Sequence, residues 1–189
     1  MSKPILLSSY LSSCGWRVRI VLEVKKVDFE YHPVYLWPDT GEQQSEKFKT
    51  MNPMGQVPVL LVDGKPISQS VAIMEYLEEM YPEPRMLPTD AYLRAKCREV
   101  VELLVSGVQP IQSIGLIPIL GKVEWKKWAE CNITRGFTGK RDNRQLDCHN
   151  SDERPHVLEN MHSRRYSRFF YPNILIYRTV KLCTEQQSC

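Results

Sequence analysis

Ser12-Ser13-Cys14-Gly15-Trp16-Arg17 puts two hydroxyls and a thiol on the turn between a short apolar strand, Ile5-Leu6-Leu7, and an apolar-periodic helix. The first N–H groups of a helix lack partners within it and lie at the positive end of its dipole, so such a turn favours an anion. For these residue types the anion is a thiolate, which the turn either receives from a ligand or supplies through Cys14. No second cysteine completes a Cys-x-x-Cys pair, which disfavours dithiol exchange and leaves a mixed disulfide open. Arg17 and Arg19 follow on the same helix. They read either as holders of a dicarboxylate or as a solvated face and partners of nearby acids.

Two further positions carry chemistry only in combination with that turn. Val57-Pro58 precedes the strand Val59-Leu60-Leu61-Val62; if its peptide bond is cis, the backbone N–H and C=O of Val57 are free to pair with a peptide-like ligand. An ordinary proline at a strand's first residue is the plainer alternative. Gln69-Ser70 opens a helix, where a hydroxyl and free N–H groups suit a carboxylate, although most such serines are simple caps.

The elements that must position these residues are legible. Val18, Val21 and Leu22 share one helical face, and Phe29 to Val34 reads as a strand. Trp37 to Lys49 is polar with turn residues, and Asp63-Gly64 between apolar runs marks a hairpin. The helix from Ser70 points Ile73, Leu77 and Met80 inward. Strand, helix, strand, helix, hairpin, helix is the order of a thioredoxin-like fold, expected over residues 1–81, and in that fold the bond before Pro58 is cis. One thiolate pocket, one backbone-pairing strand and one carboxylate pocket around such a sheet match the thiol, cysteinyl amide and γ-glutamyl carboxylate of glutathione.

Three prolines make residues 82–89 a linker. Leu93, Cys97, Val100, Leu104 and Val108 then define a long amphipathic helix, and a second helix carries Val123, Trp128 and Ile133, so residues 90–138 read as part of a helical domain. The fold class is therefore α/β followed by α. From 139 to 189 the character changes: no Gly or Ala occurs after Gly139, three of the four histidines lie there, and helical periodicity is lost. That tail is expected to be disordered or poorly packed.

Basic and acidic side chains balance over residues 1–138, so the net charge of +3 belongs to the tail and gives no argument for nucleic acid or an anionic membrane. No apolar run approaches the length of a spanning helix, no targeting segment is legible, and the six cysteines lack metal-ligand spacing, so no metal is expected.

Ser-Ser-Cys-Gly-Trp-Arg-Val-Arg at 12–19, Asn-Pro-Met-Gly-Gln-Val-Pro at 52–58, Gln-Ser-Val-Ala-Ile-Met-Glu-Tyr-Leu at 69–77 and Gln-Pro-Ile-Gln at 109–112 resemble the zeta class of glutathione transferases, the maleylacetoacetate isomerases. The resemblance covers about residues 3–138. It implies a dimeric cytoplasmic enzyme, with mitochondria as a second compartment, that uses glutathione to convert maleylacetoacetate to fumarylacetoacetate in phenylalanine and tyrosine breakdown and that also acts on α-halo acids. It implies a glutathione site of Ser12, Ser13, Cys14, Gly15, Trp16, Arg17, Gln43, Val57, Gln69, Ser70 and Gln109. Ser12 is then the hydroxyl that holds the glutathione thiolate, with Ser13 and Cys14 in the same catalytic turn.

The chain departs from the family beyond position 138, where further helices would be expected and where unrelated sequence stands instead. Two alternatives to an active isomerase therefore stand: an incomplete, catalytically deficient chain that binds glutathione weakly or pairs with a full-length subunit, and a thiol oxidoreductase using Cys14.

Overall fold

A computed structural model describes residues 2–37 and 40–138. The segment 139–189, with its expected disorder, lies outside the described residues. The chain divides into two compact units, one running through Leu93 and the other starting at Arg94.

In the first unit, β1 (Ile5–Ser8), α1 (Ser13–Val24), β2 (Glu30–Pro33), α2 (Glu46–Met51), β3 (Val59–Val62), β4 (Lys65–Ser68) and α3 (Ser70–Met80) follow in the expected order. The sheet order is β2-β1-β3-β4. β1 runs parallel to β2 and antiparallel to β3, and β3 runs antiparallel to β4, which is a thioredoxin-like arrangement. The hairpin turns on Asp63 at φ 48° and Gly64 at φ 77°, the two left-handed residues that a two-residue loop needs to match strand twist.

Side chains alternate across a strand, so the apolar runs of β1 and β3 feed two cores. Leu6 and Leu60 face Val18, Val21 and Leu22 of α1 and Ile73 and Leu77 of α3. Leu7 and Val59 join Val34 and Phe48 on the opposite face. Met80, expected to point inward, is 37% exposed. It follows Leu77 on the helix but lies in the last turn of α3, at the edge of the apolar stripe.

Helix α1 ends in an arrangement not visible in its sequence. The N–H of Lys26 donates to Glu23 O and that of Val27 to Leu22 O, with Lys26 at φ 53° in the left-handed position glycine usually takes. The proline-rich segment is no free tether: Met86 is buried in the first core. Lys25, its side chain 0% exposed, pairs with Glu78 at 2.6 Å and donates to the carbonyls of Tyr81 and Pro84. The Glu78 carboxylate in turn accepts from the N–H groups of Met86 and Leu87 at 2.9 and 3.1 Å.

The second unit holds most of α4 (Ala91–Gly107), then α5 (Ile117–Leu120) and α6 (Lys122–Thr138), with 3-10 turns at Pro110–Gln112 and Ile114–Leu116. Cys97, Leu104 and Val108 are buried as their spacing predicts, whereas Leu93 is exposed. Val123 is also exposed; Trp128 is partly so, its indole N–H donating to Ile111 O at 2.7 Å.

Candidate functional site

The register decides which segments meet. Leu7 of β1 lies opposite Val59, and Val59 lies opposite Ser68. The turn after β1, the Val57-Pro58 segment before β3 and the Gln69-Ser70 segment after β4 therefore emerge at one end of the sheet. β2 is parallel to β1, with Ser8 opposite Pro33, so the loop carrying Gln43 leaves from that same end.

At the first position Ser12 caps α1: its Oγ accepts from the Gly15 N–H at 3.0 Å, and its carbonyl accepts from Trp16 N–H. The N–H groups of Ser13 and Cys14 have no acceptor among the described residues, and the first turn includes no acid to neutralise the dipole. Cys14 is a half-buried free thiol. Gly15 is there because of contact: a Cβ would lie 1.9 Å from Ser8 Oγ. Trp16 fastens the turn by donating from Nε1 to Tyr10 O at 2.8 Å, and the Arg19 guanidinium stacks 4.0 Å from its ring centroid.

The Val57-Pro58 bond is cis, as the element order predicts. Val57 is half-buried against the Leu7, Val34, Phe48 and Val59 cluster, and its backbone enters none of the turn and loop hydrogen bonds among the described residues. Gln43 is buried. Its Nε2 donates to Trp37 O, and its Oε1 has no partner among the described residues, so this side chain braces its own loop.

The start of α3 differs from a simple serine cap. Gln69 takes the cap position, at φ 72° and ψ 116°, and Ser70 is the first helical residue. A non-glycine residue held at that positive φ stores backbone strain of the kind that collects at ligand sites, and nothing local in the sequence announces it.

Arg17 is neither part of a solvated face nor the partner of a nearby acid. It is 1% exposed. Its Nη1 donates to Ser70 Oγ at 3.1 Å and to Cys14 Sγ at 3.7 Å, tying the turn of α1 to the start of α3. Nε and Nη2 are buried without partners among the described residues. Burial lowers the pKa of this guanidinium from its ordinary value, and the neighbouring Cys14 sulfur partly offsets that. Arg19, occupied by the rings of Trp16 and Tyr31, is not a free carboxylate clamp.

The first unit thus gathers Ser12, Ser13, Cys14, Gly15, Trp16, Arg17, Gln43, Val57, Gln69 and Ser70 at one sheet end. Gln109 belongs to the second unit, where its N–H donates to Leu104 O at 2.9 Å ahead of the Pro110–Gln112 turn. Among the described residues no cluster of His, Cys, Asp or Glu could hold a metal ion, and no helix is long and apolar enough to cross a membrane.

Residues 11–80 match the family described as glutathione S-transferase, N-terminal domain. The chain is similar to maleylacetoacetate isomerase of Mus musculus, 50% identical over 135 residues that make up 71% of this chain and 62% of that protein. The Rattus norvegicus maleylacetoacetate isomerase gives 49% over the same shares. Among solved structures, maleylacetoacetate isomerase from Anaeromyxobacter dehalogenans with glutathione in its active site is 33% identical, with a TM-score of 0.63 and coverage of 96% of this chain and 90% of that one. The chain belongs to the zeta-class glutathione transferase family. A bacterial zeta-class maleyl pyruvate isomerase superposes at a TM-score of 0.69 with 28% identity, covering 96% of this chain and 92% of its own. The chain spans about three fifths of the length of the rat and mouse zeta-class relatives. Zeta-class membership accounts for the element order, the cis bond and the gathering of the three segments at one end of the sheet.

Proposed function

We propose that this chain binds glutathione at the sheet end of its first unit and uses it to isomerise maleylacetoacetate to fumarylacetoacetate. The supporting observation is the convergence of an acid-free helix start carrying Ser12, Ser13 and Cys14, the cis Val57-Pro58 segment, and Ser70 at a second acid-free helix start. These suit, respectively, the thiol, the cysteinyl amide and the γ-glutamyl carboxylate. Rodent relatives named for this isomerase activity, and a glutathione-bound bacterial one, support the substrate and cosubstrate.

Ser12 accepts from Gly15 N–H, so its own O–H remains free to donate to the glutathione sulfur, and the open N–H groups of Ser13 and Cys14 add to the stabilisation of a thiolate. The thiolate adds to the electrophilic carbon at one end of the cis double bond, and the electron pair moves onto the adjoining carbonyl system. Rotation about the new single bond follows, and collapse of the enolate expels the thiolate with the double bond trans. Glutathione is regenerated. The same nucleophile displaces halide from α-halo acids, leaving a thioether. A role in phenylalanine and tyrosine breakdown, a cytoplasmic location and a homodimer belong to the same proposal.

A second reading, glutathione binding without turnover or pairing with a full-length subunit, is favoured by the apolar surface of the second unit, where Leu103, Ile119 and Val123 are exposed. One set of measurements separates the readings. Thermal melts with and without glutathione report binding, and an isomerisation assay reports turnover. Ser12→Ala is expected to lower turnover sharply while Cys14→Ala retains measurable activity. A glutathione-stabilised chain with no turnover would establish the second reading, and complete loss only in Cys14→Ala would favour thiol oxidoreduction.

A further inference from the structure

Buried polar atoms are nearly always satisfied, and those that are not call for a cause. Among the described residues the orphaned side-chain atoms are Ser8 Oγ, Arg17 Nε, Arg17 Nη2 and Gln43 Oε1, all in segments at the ligand end of the sheet. Arg17 is the extreme case, because an uncompensated buried cation is among the costlier groups a small domain can hold. No carboxylate faces it; its partners are one hydroxyl and one sulfur.

The direction of those bonds carries the inference. A guanidinium only donates. Ser70 Oγ is therefore committed as an acceptor toward Arg17, and its own proton must point elsewhere; that O–H donates to no group among the described residues. Ser70 stands at the first position of α3, behind the strained Gln69, with open backbone N–H groups beside it. A carboxylate arriving there would accept from an O–H already oriented as a donor and polarised by the cation behind it.

We propose that Arg17 is a positioning residue of this site, which acts through Ser70 by fixing the hydroxyl as a donor toward a ligand carboxylate whose charge completes the buried cation. This inference rests on the glutathione reading and assigns the relevant ligand group as the γ-glutamyl α-carboxylate. It also makes Arg17 a device for binding at the expense of the free chain: the guanidinium is short of partners until the anion arrives.

The test uses the full chain, with Arg17→Met, Arg17→Lys, Ser70→Ala and the Arg17→Met/Ser70→Ala double variant. Dissociation constants are measured for glutathione and for 4-aminobutyryl-cysteinylglycine, which lacks only that carboxylate. Arg17→Met is expected to weaken glutathione about 10- to 100-fold, as loss of a hydrogen bond with a charged partner does. The double variant should be no weaker than the worse single one, because both act on the same group. Parent and Arg17→Met should bind the decarboxylated analogue within about twofold of one another, a pattern that general loosening of the fold would not produce. Arg17→Lys, which keeps the charge but lacks the fork, should be severalfold weaker for glutathione alone. It carries the same test should the Met variant fail to fold. Equal glutathione affinity in parent and Arg17 variants, or an equal loss with the analogue, overturns the inference while leaving glutathione binding standing. A parent that binds neither ligand overturns the glutathione reading and, with it, the ligand assigned here.

Discussion

The two units of this chain satisfy their polar and apolar groups in different ways. In the first, a four-stranded sheet buries apolar residues on both faces, and one of its two buried cations, Lys25, meets a carboxylate and two carbonyls. Unsatisfied groups remain, but they concentrate where a ligand is proposed to bind. In the second, the ion pair Glu124–Lys127 is a solvent-exposed helix pair, and Ile119 is 77% exposed. The lesson is that buried and exposed groups carry different weight: orphaned buried polar atoms gather at one sheet end, whereas exposed apolar side chains occur in both units, Tyr10, Trp37 and Met54 in the first and Leu103, Ile119 and Val123 in the second.

That contrast can be broken most directly at the charges. Glu78→Ala removes the only carboxylate among the described partners of a fully buried ammonium, together with the acceptor for two backbone N–H groups, and is expected to cost about 3–5 kcal/mol by urea denaturation. Lys127→Ala in the second unit should cost less than about 0.5 kcal/mol, as exposed i,i+3 pairs do. Similar costs would mean that the Lys25 clamp holds nothing together.

Glycines sharpen the comparison at an intermediate size. A Cβ at Gly15 would lie 1.9 Å from Ser8 Oγ, and one at Gly136 would lie 2.2 Å from Val108 Cγ2. Gly15→Ala is expected to cost about 1–3 kcal/mol, and Ser8→Ala should recover part of it, since the nearest remaining Ser8 atom is at 3.3 Å. Gly136→Ala should cost a similar amount, because both glycines are helical, so alanine's better helix propensity, about 1 kcal/mol, offsets part of the crowding at each, and Val108→Ala should relieve the crowding at Gly136. Melts of the two double-mutant cycles give the coupling in each unit; an absence of rescue at Gly15 would place the close contact elsewhere.

Smaller again is the Ser12 cap. Ser12→Ala removes the acceptor for Gly15 N–H and should lower stability by about 1 kcal/mol, read in the same denaturation experiment. A stability loss of that size beside a much larger loss of turnover would separate capping from thiolate stabilisation.

The smallest effect is expected at the exposed Asp63, whose carboxyl is held below its ordinary 3.8 by hydrogen bonds from the Ser2 hydroxyl and backbone N–H. A depressed folded-state value means that this contribution is present above the unfolded-state value and fades as pH falls through the folded one. Asp63→Asn should therefore be slightly less stable than the parent at neutral pH, and the difference should vanish in acid melts.

Local chemistry and periodicity settled most of what the chain's own sequence could settle: the order of the elements, the two-faced apolar pattern of β1 and β3, the Asp63-Gly64 hairpin and the Ser12 turn. Each depends on a residue and its close neighbours, or on a spacing of two or three to four, and so survives without knowledge of the fold. The limits of that reading fall at residues whose meaning is set by groups distant in sequence. Arg17 reads as a surface arginine as readily as a ligand-binding one because nothing near it reports that Ser70, 53 residues on, is its partner. Lys25 reads as an ordinary helix-end lysine until the chain brings Tyr81 and Pro84 back to it. Gln69 and Lys26 hold left-handed backbone where sequence rules expect glycine, because the surrounding contacts, not their own preference, decide their φ. Burial and long-range partnership are properties of the assembled sheet and helices, and only those could turn an exposed-looking arginine into the buried charge at the centre of the site.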